Sequence, residues 1–278
     1  MSAVEVFGVR FQNPVLLAAG TAGFGHEVAG VIDLEELGGI VTKAVTPEPR
    51  RGHPRPRVAE FVGGMLNAVG LANPGLDVVA AEDLPWLARL RRARVLVNVA
   101  GATIEDYERV LERLSETEGV TAFEINASCP NTAAGGLEFG STAEGLAELV
   151  RRSRRRTRKP LVIKLSPILP DLPAMARVVQ QEGADAVSLV NTIPGTLAGR
   201  LGNGYGGVSG PALLPIGVVA THRVRQRVDL PIIGVGGIRT AADAREYLRA
   251  GASLVAIGTA ALADPRVPNR IARALANG

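Results

Sequence analysis

Short β-rich runs alternate with helix-like segments along the whole sequence, and this alternation limits the possible folds more than any other feature. Continuous apolar strands separated by helices are typical of a parallel sheet that helices cover. The runs that follow this pattern are 15–18, 40–45, 95–99, 121–126, 161–165, 185–190, 232–235 and 253–258. These eight α/β units predict a closed (β/α)8 TIM barrel, and a doubly wound open sheet is the alternative.

A two-unit rhythm in the same runs supports the closed barrel. The even runs each follow a glycine, as in GGIVTKAV and GADAVSLV, whereas three of the four odd runs follow a proline, as in KPLVIKL. Alternate strands of such barrels fill alternate layers of the core, so a difference between odd and even units has a physical cause. We expect a single barrel domain over residues 1–278.

Two segments lie outside the repeat. Residues 3–13 alternate in polarity and turn at Gly8, which predicts a hairpin that closes the bottom of the barrel. Residues 46–76, after the second strand, are too rich in proline and glycine to form a helix. We expect this long excursion to fold over the top of the barrel, where active-site loops lie.

The composition argues against several classes of protein. No run approaches the ~18 apolar residues of a membrane span, and the first residues lack the layout of a secretory signal, so we expect a cytoplasmic protein with no membrane partner. One cysteine cannot form an internal disulfide or hold an iron–sulfur cluster. The net charge of +4 makes an RNA-binding protein a rival hypothesis. However, the densest basic run, 151–159, contains no aromatic residues and is expected to face solvent at a helix end, so we expect no nucleic-acid partner.

Lysine is rare in this chain, and its positions are informative. It occurs only at Lys43, Lys159 and Lys164 among 31 basic residues. Lys43 and Lys164 lie inside apolar runs, where a charge is costly to bury without a function or a partner. We take both as candidate functional residues, with a buried structural ion pair as the alternative.

Polar residues end most of the predicted strands, at the edge where β/α barrels carry their active sites. These strand-end residues are Lys43, Asn98, Asn126, Lys164, Asn191 and Thr192. Amides and lysines do not make a metal site without a cluster of His, Asp or Glu, so we expect no metal. Because an amide offers both a donor and an acceptor, the set favours a planar heterocycle such as a pyrimidine or an isoalloxazine.

Glycine-rich turns follow the last two predicted strands, at 234–238 and 256–260, and a third lies at 206–210. Such turns let backbone N–H groups approach and hold a phosphate, although tight turns without a ligand are the alternative. A phosphate-binding lyase or aldolase that uses Lys164 as a Schiff base is therefore a rival enzyme class.

Cys129 lies in the segment Ser-Cys-Pro-Asn after the fourth strand. A thiol on a loop at this edge of the barrel is a candidate general base for removing a proton from a substrate carbon. Free cysteines are also often small buried core residues. Its position alone leaves both interpretations open.

Taken together, these motifs resemble the class 1 dihydroorotate dehydrogenases. The matching stretches occur in family order over nearly the whole chain: 13–25, 38–57, 63–75, 97–101, 124–131, 162–167, 189–192, 206–212, 232–238 and 256–260. The stretches GLANPG and SCPNTAAGGLEFG resemble class 1B, with the fumarate-dependent class 1A as the alternative.

The resemblance implies one FMN per chain at the top of the barrel and the oxidation of dihydroorotate to orotate in pyrimidine biosynthesis. Cys129 would take a proton from the substrate, Lys43 would contact flavin and substrate, and Lys164 would stabilise charge on the reduced flavin. The implied orotate-binding residues are Lys43, Asn67, Ala68, Val69, Gly70, Leu71, Asn126, Asn131, Asn191 and Thr192. The implied FMN-binding residues are Ala19, Gly20, Lys43, Ala44, Asn98, Asn126, Lys164, Val190, Gly210, Gly236, Gly237, Gly258 and Thr259.

The resemblance also implies a second subunit that carries FAD and a [2Fe–2S] cluster and passes electrons to NAD. The expected assemblies are a homodimer of this chain and a heterotetramer with that subunit. The chain departs from the family pattern at Ala19, where serine is usual, and in residues 191–210, a loop that is usually longer.

Overall fold

The structure is a computed structural model of the chain, and it describes residues 3–128, 130–131 and 137–277, with no side-chain description for 130, 131, 137 and 138. The strands in this part of the chain are β1 (Val4–Val6), β2 (Val9–Phe11), β3 (Val15–Leu17), β4 (Gly39–Val41), β5 (Val58–Phe61), β6 (Gly64–Asn67), β7 (Arg94–Val99), β8 (Val120–Asn126), β9 (Pro130–Asn131), β10 (Leu137–Glu138), β11 (Leu161–Leu165), β12 (Ala186–Leu189), β13 (Ile193–Gly195), β14 (Gly206–Ser209), β15 (Ile232–Val235) and β16 (Leu254–Ile257). The helices in the same residues are α1 (Leu76–Val78), α2 (Leu84–Leu87), α3 (Ile104–Leu114), α4 (Ala143–Arg156), α5 (Leu172–Gln181), α6 (Leu214–Arg225), α7 (Ala241–Arg249), α8 (Thr259–Ala263) and α9 (Val267–Ala276).

Eight parallel strands form a closed barrel in the order β3, β4, β7, β8, β11, β12, β15 and β16. The barrel closes where β16 pairs with β3, with Val255 opposite Val15. The predicted (β/α)8 TIM barrel is therefore confirmed, and the open sheet is wrong. The first unit is irregular, because the described residues between β3 and β4 contain only a 3-10 turn, Leu34–Glu36, and no α-helix.

The outer helices pack apolar faces on the barrel, and two of them begin at capping boxes. Thr103 and Asp106 form a capping box at the start of α3, which buries Tyr107 and Leu111 among other residues. Thr240 and Asp243 do the same for α7. None of the helices in the described ranges is long and apolar enough to cross a membrane.

The predicted hairpin closes the bottom of the barrel. β1 and β2 pair antiparallel around Phe7 and Gly8, which have φ angles of 42° and 73°. Val6 and Phe11 are buried in the same apolar cluster as barrel residues such as Leu16. Since the lower end of the barrel is filled, a ligand can reach the interior only from the upper end.

The excursion after β4 contains two strands that the sequence did not predict. β5 and β6 form a four-stranded antiparallel sheet with β13 and β14, in the order β13, β14, β6, β5. β13 and β14 belong to the loop that follows β12, so two loops from the upper edge combine in one sheet. We call this four-stranded sheet the cover sheet.

The basic run at 151–159 is not simply exposed to solvent, which corrects the expectation from sequence. Arg152 and Arg156 both pair with Glu108 on α3, and Arg154 donates to Asp185 at 2.7 Å. These guanidinium groups tie α4 to its neighbours, because planar multidentate donors suit contacts between packed helices.

Candidate active site

Side chains on the barrel strands alternate between the helices and the barrel interior. In the lower interior, the residues that pack with the hairpin on β7, β8, β11 and β12 are Leu96, Ala122, Val162 and Ala186. Two positions further along each strand, and hence on the same side, lie Asn98, Glu124, Lys164 and Ser188. We call these four residues the polar layer. All are less than a tenth exposed.

Sequence reasoning missed two members of the polar layer, Ser188 and the charged residue Glu124. Its Oε1 accepts a hydrogen bond of 2.7 Å from Asn98 Nδ2 and lies 3.9 Å from Lys164 Nζ. A buried carboxylate without a counter-ion costs several kcal/mol, so this ion pair gives Lys164 a structural role as well as a candidate catalytic one. Asn98, predicted to bind flavin, has an amide hydrogen engaged by Glu124 and keeps its carbonyl oxygen for other contacts.

The upper edge of the barrel brings together predicted substrate-binding amides from separate strands. Asn191 Nδ2 donates to Asn126 Oδ1 at 3.4 Å, and Asn191 Oδ1 accepts the Thr192 backbone N–H at 2.8 Å. The Tyr107 hydroxyl donates to the Asn126 carbonyl oxygen at 2.9 Å and so fixes the end of β8. The half-buried amides form one polar patch at the mouth of the barrel.

Lys43 lies beyond its strand, because β4 ends at Val41 rather than at the predicted position 45. Its backbone N–H donates to the Gly23 carbonyl oxygen at 2.8 Å, which joins it to the loop after β3. The side chain is half-buried, and its ammonium makes no ion pair or hydrogen bond within the described residues. Lys43 therefore retains its full donor capacity for an anionic ligand.

The predicted substrate segment 67–71 lies where the cover sheet ends. Asn67 Nδ2 donates to the Gly207 carbonyl oxygen at 3.2 Å. A Cβ on Gly207 would lie 2.1 Å from Thr192 Oγ1, so only glycine allows this close approach. The contact links Asn67 to Thr192 through β14 and places both near the mouth. Ala68 is buried, and the other segment members, Val69, Gly70 and Leu71, are half-buried.

The glycine turns predicted to hold a phosphate meet at the ends of β14, β15 and β16. Thr259 Oγ1 donates to Ser209 Oγ at 2.9 Å, which brings Gly258 close to Gly210. Gly237 has a φ of 75°, and a Cβ there would lie 2.5 Å from the Leu214 backbone nitrogen, so glycine lets the turn approach the start of α6.

Tyr247 supports the turn after β15. Its buried hydroxyl lies 3.0 Å from the Val235 carbonyl oxygen and 2.8 Å from that of Gly236. Burial raises the pKa of Tyr247, so the phenol stays protonated and remains a donor at neutral pH. No local sequence pattern indicates this role, because Tyr247 is one helical residue among many.

Comparison with known sequences decides the family. Residues 1–278 match the sequence profile described as dihydroorotate dehydrogenase. The chain belongs to this family. It is 48% identical over 271 residues to the catalytic subunit of dihydroorotate dehydrogenase B (NAD(+)) of Geobacillus kaustophilus (strain HTA426). The aligned residues cover 95% of this chain and 86% of that protein.

Other relatives agree with this assignment. The protein with the same name from Cutibacterium acnes (strain DSM 16379 / KPA171202) is 48% identical over 270 residues, which is 95% of this chain and 88% of the relative. That of Desulforudis audaxviator (strain MP104C) is 46% identical over 270 residues, with the same coverage. The chain is therefore a dihydroorotate dehydrogenase of class 1B, in a family of generally flavin-dependent oxidoreductases.

Two of the predicted substrate-site residues, Cys129 and Asn131, have no described side chain. Cys129 lies outside the described residues, and only the backbone of Asn131, in β9, is described. The neighbouring Ser128 has a buried hydroxyl without a hydrogen-bond partner in the described chain. The assignment of Cys129 as the catalytic base stays a prediction.

The remaining residues predicted to bind flavin line the same edge of the barrel. Ala44 and Val190 are buried at the ends of β4 and β12, and Ala19 is half-buried after β3. Gly20 is exposed with a φ of 76°, and a Cβ there would meet no atom within 4 Å. This edge of the mouth is therefore open, and a planar ring can approach the backbone there.

Proposed function

We propose that this chain oxidises dihydroorotate to orotate through one bound FMN, as a step of de novo pyrimidine biosynthesis. The observation that carries the proposal is the Asn126–Asn191 amide pair at the open end of the barrel, next to Lys164, which lies opposite Asn126 in the register of β8 and β11. This donor set suits an anionic substrate with a ring of alternating carbonyl and N–H groups. Membership of the dihydroorotate dehydrogenase family supports the same substrate.

The residues of the mouth fit FMN. The turns at Gly210, Gly236 to Gly237 and Gly258 to Thr259 offer backbone N–H groups to its phosphate, and the open space beside Gly20 admits its ring. FMN supplies the hydride acceptor of the reaction when it is bound. Lys164 offers a fixed cation to that ring, and Lys43 offers its free ammonium to both ring and substrate.

Cys129 is the proposed general base. Its thiolate takes the proton from one substrate ring carbon, while hydride leaves the adjacent carbon, and the two C–H bonds are replaced by the C=C bond of orotate. Asn126, Asn131 and Asn191 hold the ring in place during this transfer, together with Thr192 and the segment 67–71. The cover sheet, formed by the loops after β4 and β12, would shield a substrate in the mouth from water.

The rival Schiff-base chemistry at Lys164 finds little support. A Schiff-base lysine has to present its amine to a carbonyl carbon. Lys164 is paired instead with the buried carboxylate of Glu124 at 3.9 Å, and the family of the chain is one of dehydrogenases rather than lyases or aldolases.

Transfer of electrons from the reduced flavin to NAD requires a partner subunit. The relatives are named as catalytic subunits of NAD(+) enzymes, and we propose a second subunit with FAD and a [2Fe–2S] cluster that delivers electrons to NAD. We propose one functional domain over 1–278, a homodimer as the core assembly, its heterotetramer with the second subunit, and a cytoplasmic location.

The base is tested with Cys129→Ala. The wild-type protein should be yellow, and anaerobic dihydroorotate should bleach its flavin absorption in a stopped-flow experiment. The variant should keep FMN and bleach at least ~100-fold more slowly, the lower range for loss of a general base. A colourless wild-type protein that FMN cannot reconstitute would contradict the function, and fast bleaching of the variant would remove Cys129 from the role of base.

The acceptor is tested by comparing NAD, fumarate and quinone in steady-state turnover. Class 1B chemistry predicts that NAD is reduced only when the flavin and iron–sulfur subunit is present. Direct turnover with fumarate by this chain alone would instead favour the class 1A reaction.

A further inference from the structure

The polar layer contains a charge that the proposed reaction does not use. Glu124 is 2% exposed and is the acid of this layer in the described chain. It faces the barrel interior, since its neighbours Phe123 and Ile125 pack on the opposite side of the wall. The role of this carboxylate has to be sought in its interactions with Asn98 and Lys164.

The geometry relates Glu124 to Lys164 in a particular way. The 3.9 Å separation between Oε1 and Nζ is too long for a hydrogen bond but close enough for a strong electrostatic interaction. The Lys164 side chain is 10% exposed and that of Glu124 is 2% exposed. In the register of β11 with β8, Lys164 lies opposite Asn126 of the mouth, whereas Glu124 lies opposite Val162, two residues lower on β11.

Asn98 fixes the position of the carboxylate. Its amide donates to the same Oε1 atom at 2.7 Å, so the oxygen nearest Lys164 is held from a second strand. Within the described residues Lys164 has no other ion-pair or hydrogen-bond partner. The remaining ammonium hydrogens are thus available to a ligand above the polar layer.

We propose that Glu124 is a positioning residue that holds the Lys164 ammonium under the flavin and lowers the flavin reduction potential. This inference rests on the proposed function. Hydride transfer from the substrate adds two electrons and one proton to the cofactor, so the site gains one negative charge. Lys164 stabilises that charge, and Glu124 opposes it from below. The pair is neutral before reduction, which limits how strongly the enzyme favours the reduced cofactor.

The test is the midpoint potential of bound FMN in Glu124→Gln. Gln keeps the shape and can still accept from Asn98, but it removes the negative charge. We expect the equilibrium to shift about tenfold toward reduced flavin, which corresponds to about 30 mV for two electrons. Glu124→Asp keeps the charge and should remain closer to wild type. An unchanged or lower potential in Glu124→Gln would overturn the proposal.

Ser188→Ala is the matched control. Ser188 belongs to the same layer, is fully buried and has no hydrogen-bond partner in the described residues. Its replacement perturbs packing without a change of charge, so the potential should stay at the wild-type value. A shift as large as that of Glu124→Gln would mean that any disturbance of the layer moves the potential, and would also overturn the proposal.

A double-mutant cycle tests the pairing without flavin. If Glu124→Gln does not fold, Lys164→Met and the double variant Glu124→Gln with Lys164→Met remain available. The double variant should melt at a higher temperature than Lys164→Met, because the latter leaves Glu124 buried without a cation. A double variant that melts no higher than Lys164→Met would show that the two side chains do not interact. Failure of the wild type to bind FMN would sink the proposed function but would leave this stability cycle interpretable.

Discussion

Two of the buried acids in the described part of this chain, Glu108 and Glu124, have very different partners, and the difference separates architecture from function. Glu108, on α3, is 8% exposed and pairs with Arg152 and Arg156 on α4. Glu124, on β8, is 2% exposed and has a single cation, 3.9 Å away. The single carboxylate of Glu108 pairs with two guanidinium groups. The ammonium of Lys164 has one ion-pair partner, Glu124, and keeps hydrogen-bond donors that this partner does not use.

This contrast teaches how to interpret buried charges. A carboxylate whose partners are saturated stabilises the fold, and its cations are not free to bind anything else. A buried pair with unused donors at an open mouth is prepared to meet a ligand. Perturbing the first should change stability, and perturbing the second should change chemistry. The following predictions test that distinction.

The largest effect is expected for Lys164→Met. It removes the cation proposed to contact the flavin and leaves Glu124 without its ion-pair partner. Reduction by dihydroorotate should slow about 100-fold, as for the loss of one group that stabilises transition-state charge. Stopped-flow bleaching, normalised to bound FMN, measures this effect. Reduction within a few-fold of wild type would assign Lys164 to structure alone.

Glu108→Ala should instead destabilise the fold. It leaves two arginines on α4 without their shared acceptor, and we expect a loss of about 3 kcal/mol in the free energy of unfolding. Urea unfolding measures this, while bleaching per bound FMN should stay within twofold of wild type. Glu105→Gln, which removes only an exposed partner of Arg152, is the control and should cost under ~1 kcal/mol. A strong loss of flavin bleaching in folded Glu108→Ala would show that Glu108 affects the reaction as well as the stability of the fold.

The pH dependence of stability sharpens the same contrast. The hydrogen bond from Arg152 holds the pKa of Glu108 below its ordinary value of 4.5, with Arg156 adding to the effect. A lowered folded-state pKa gives stability that is complete above the unfolded value and is lost as the pH falls through the folded value. The stability difference between wild type and Glu108→Gln should therefore be constant near neutral pH and shrink below about pH 4.5. A difference that persists at strongly acidic pH would show that packing, not charge, stabilises this site.

The smallest effect is expected on the surface. Arg249 and Glu246 form an exposed pair on α7, with side chains 69% and 52% exposed. Such pairs contribute little because water screens them, so Arg249→Ala should change the free energy of unfolding by less than ~0.5 kcal/mol. Both unfolding and flavin bleaching serve as measurements. A larger change would imply that exposed pairs matter as much here as the buried ones.

Much of the fold could be predicted from the sequence because strands and turns depend on local patterns of apolar residues and glycine. Eight apolar runs indicated the barrel, and the turn at Gly8 indicated the hairpin. The cover sheet was missed because antiparallel pairing between β6 and β14 joins segments about 140 residues apart. No local periodicity encodes such a contact.

The candidate site was predicted unevenly for a similar reason. Lys43 and Lys164 stood out because lysine is rare, and the amides stood out at strand ends. Glu124 escaped notice although it lies two positions before Asn126 and thus on the same side of β8. That spacing was the available signal, since a charge within an apolar strand has to be paired.

The eight-unit barrel can be predicted from the amino-acid sequence alone because it depends on short periodic patterns. The polar strand ends, the glycine turns and the family follow from the motifs and their order. The contacts of Glu124 with Lys164, and of Glu108 with Arg152 and Arg156 of α4, become visible only in the folded chain. The pairing of residues 46–76 with the loop after β12 in one sheet is likewise seen only in the folded chain. Each of these depends on how far apart atoms from distant segments lie once the barrel closes, and electrostatic and hydrogen-bond energies depend on that distance.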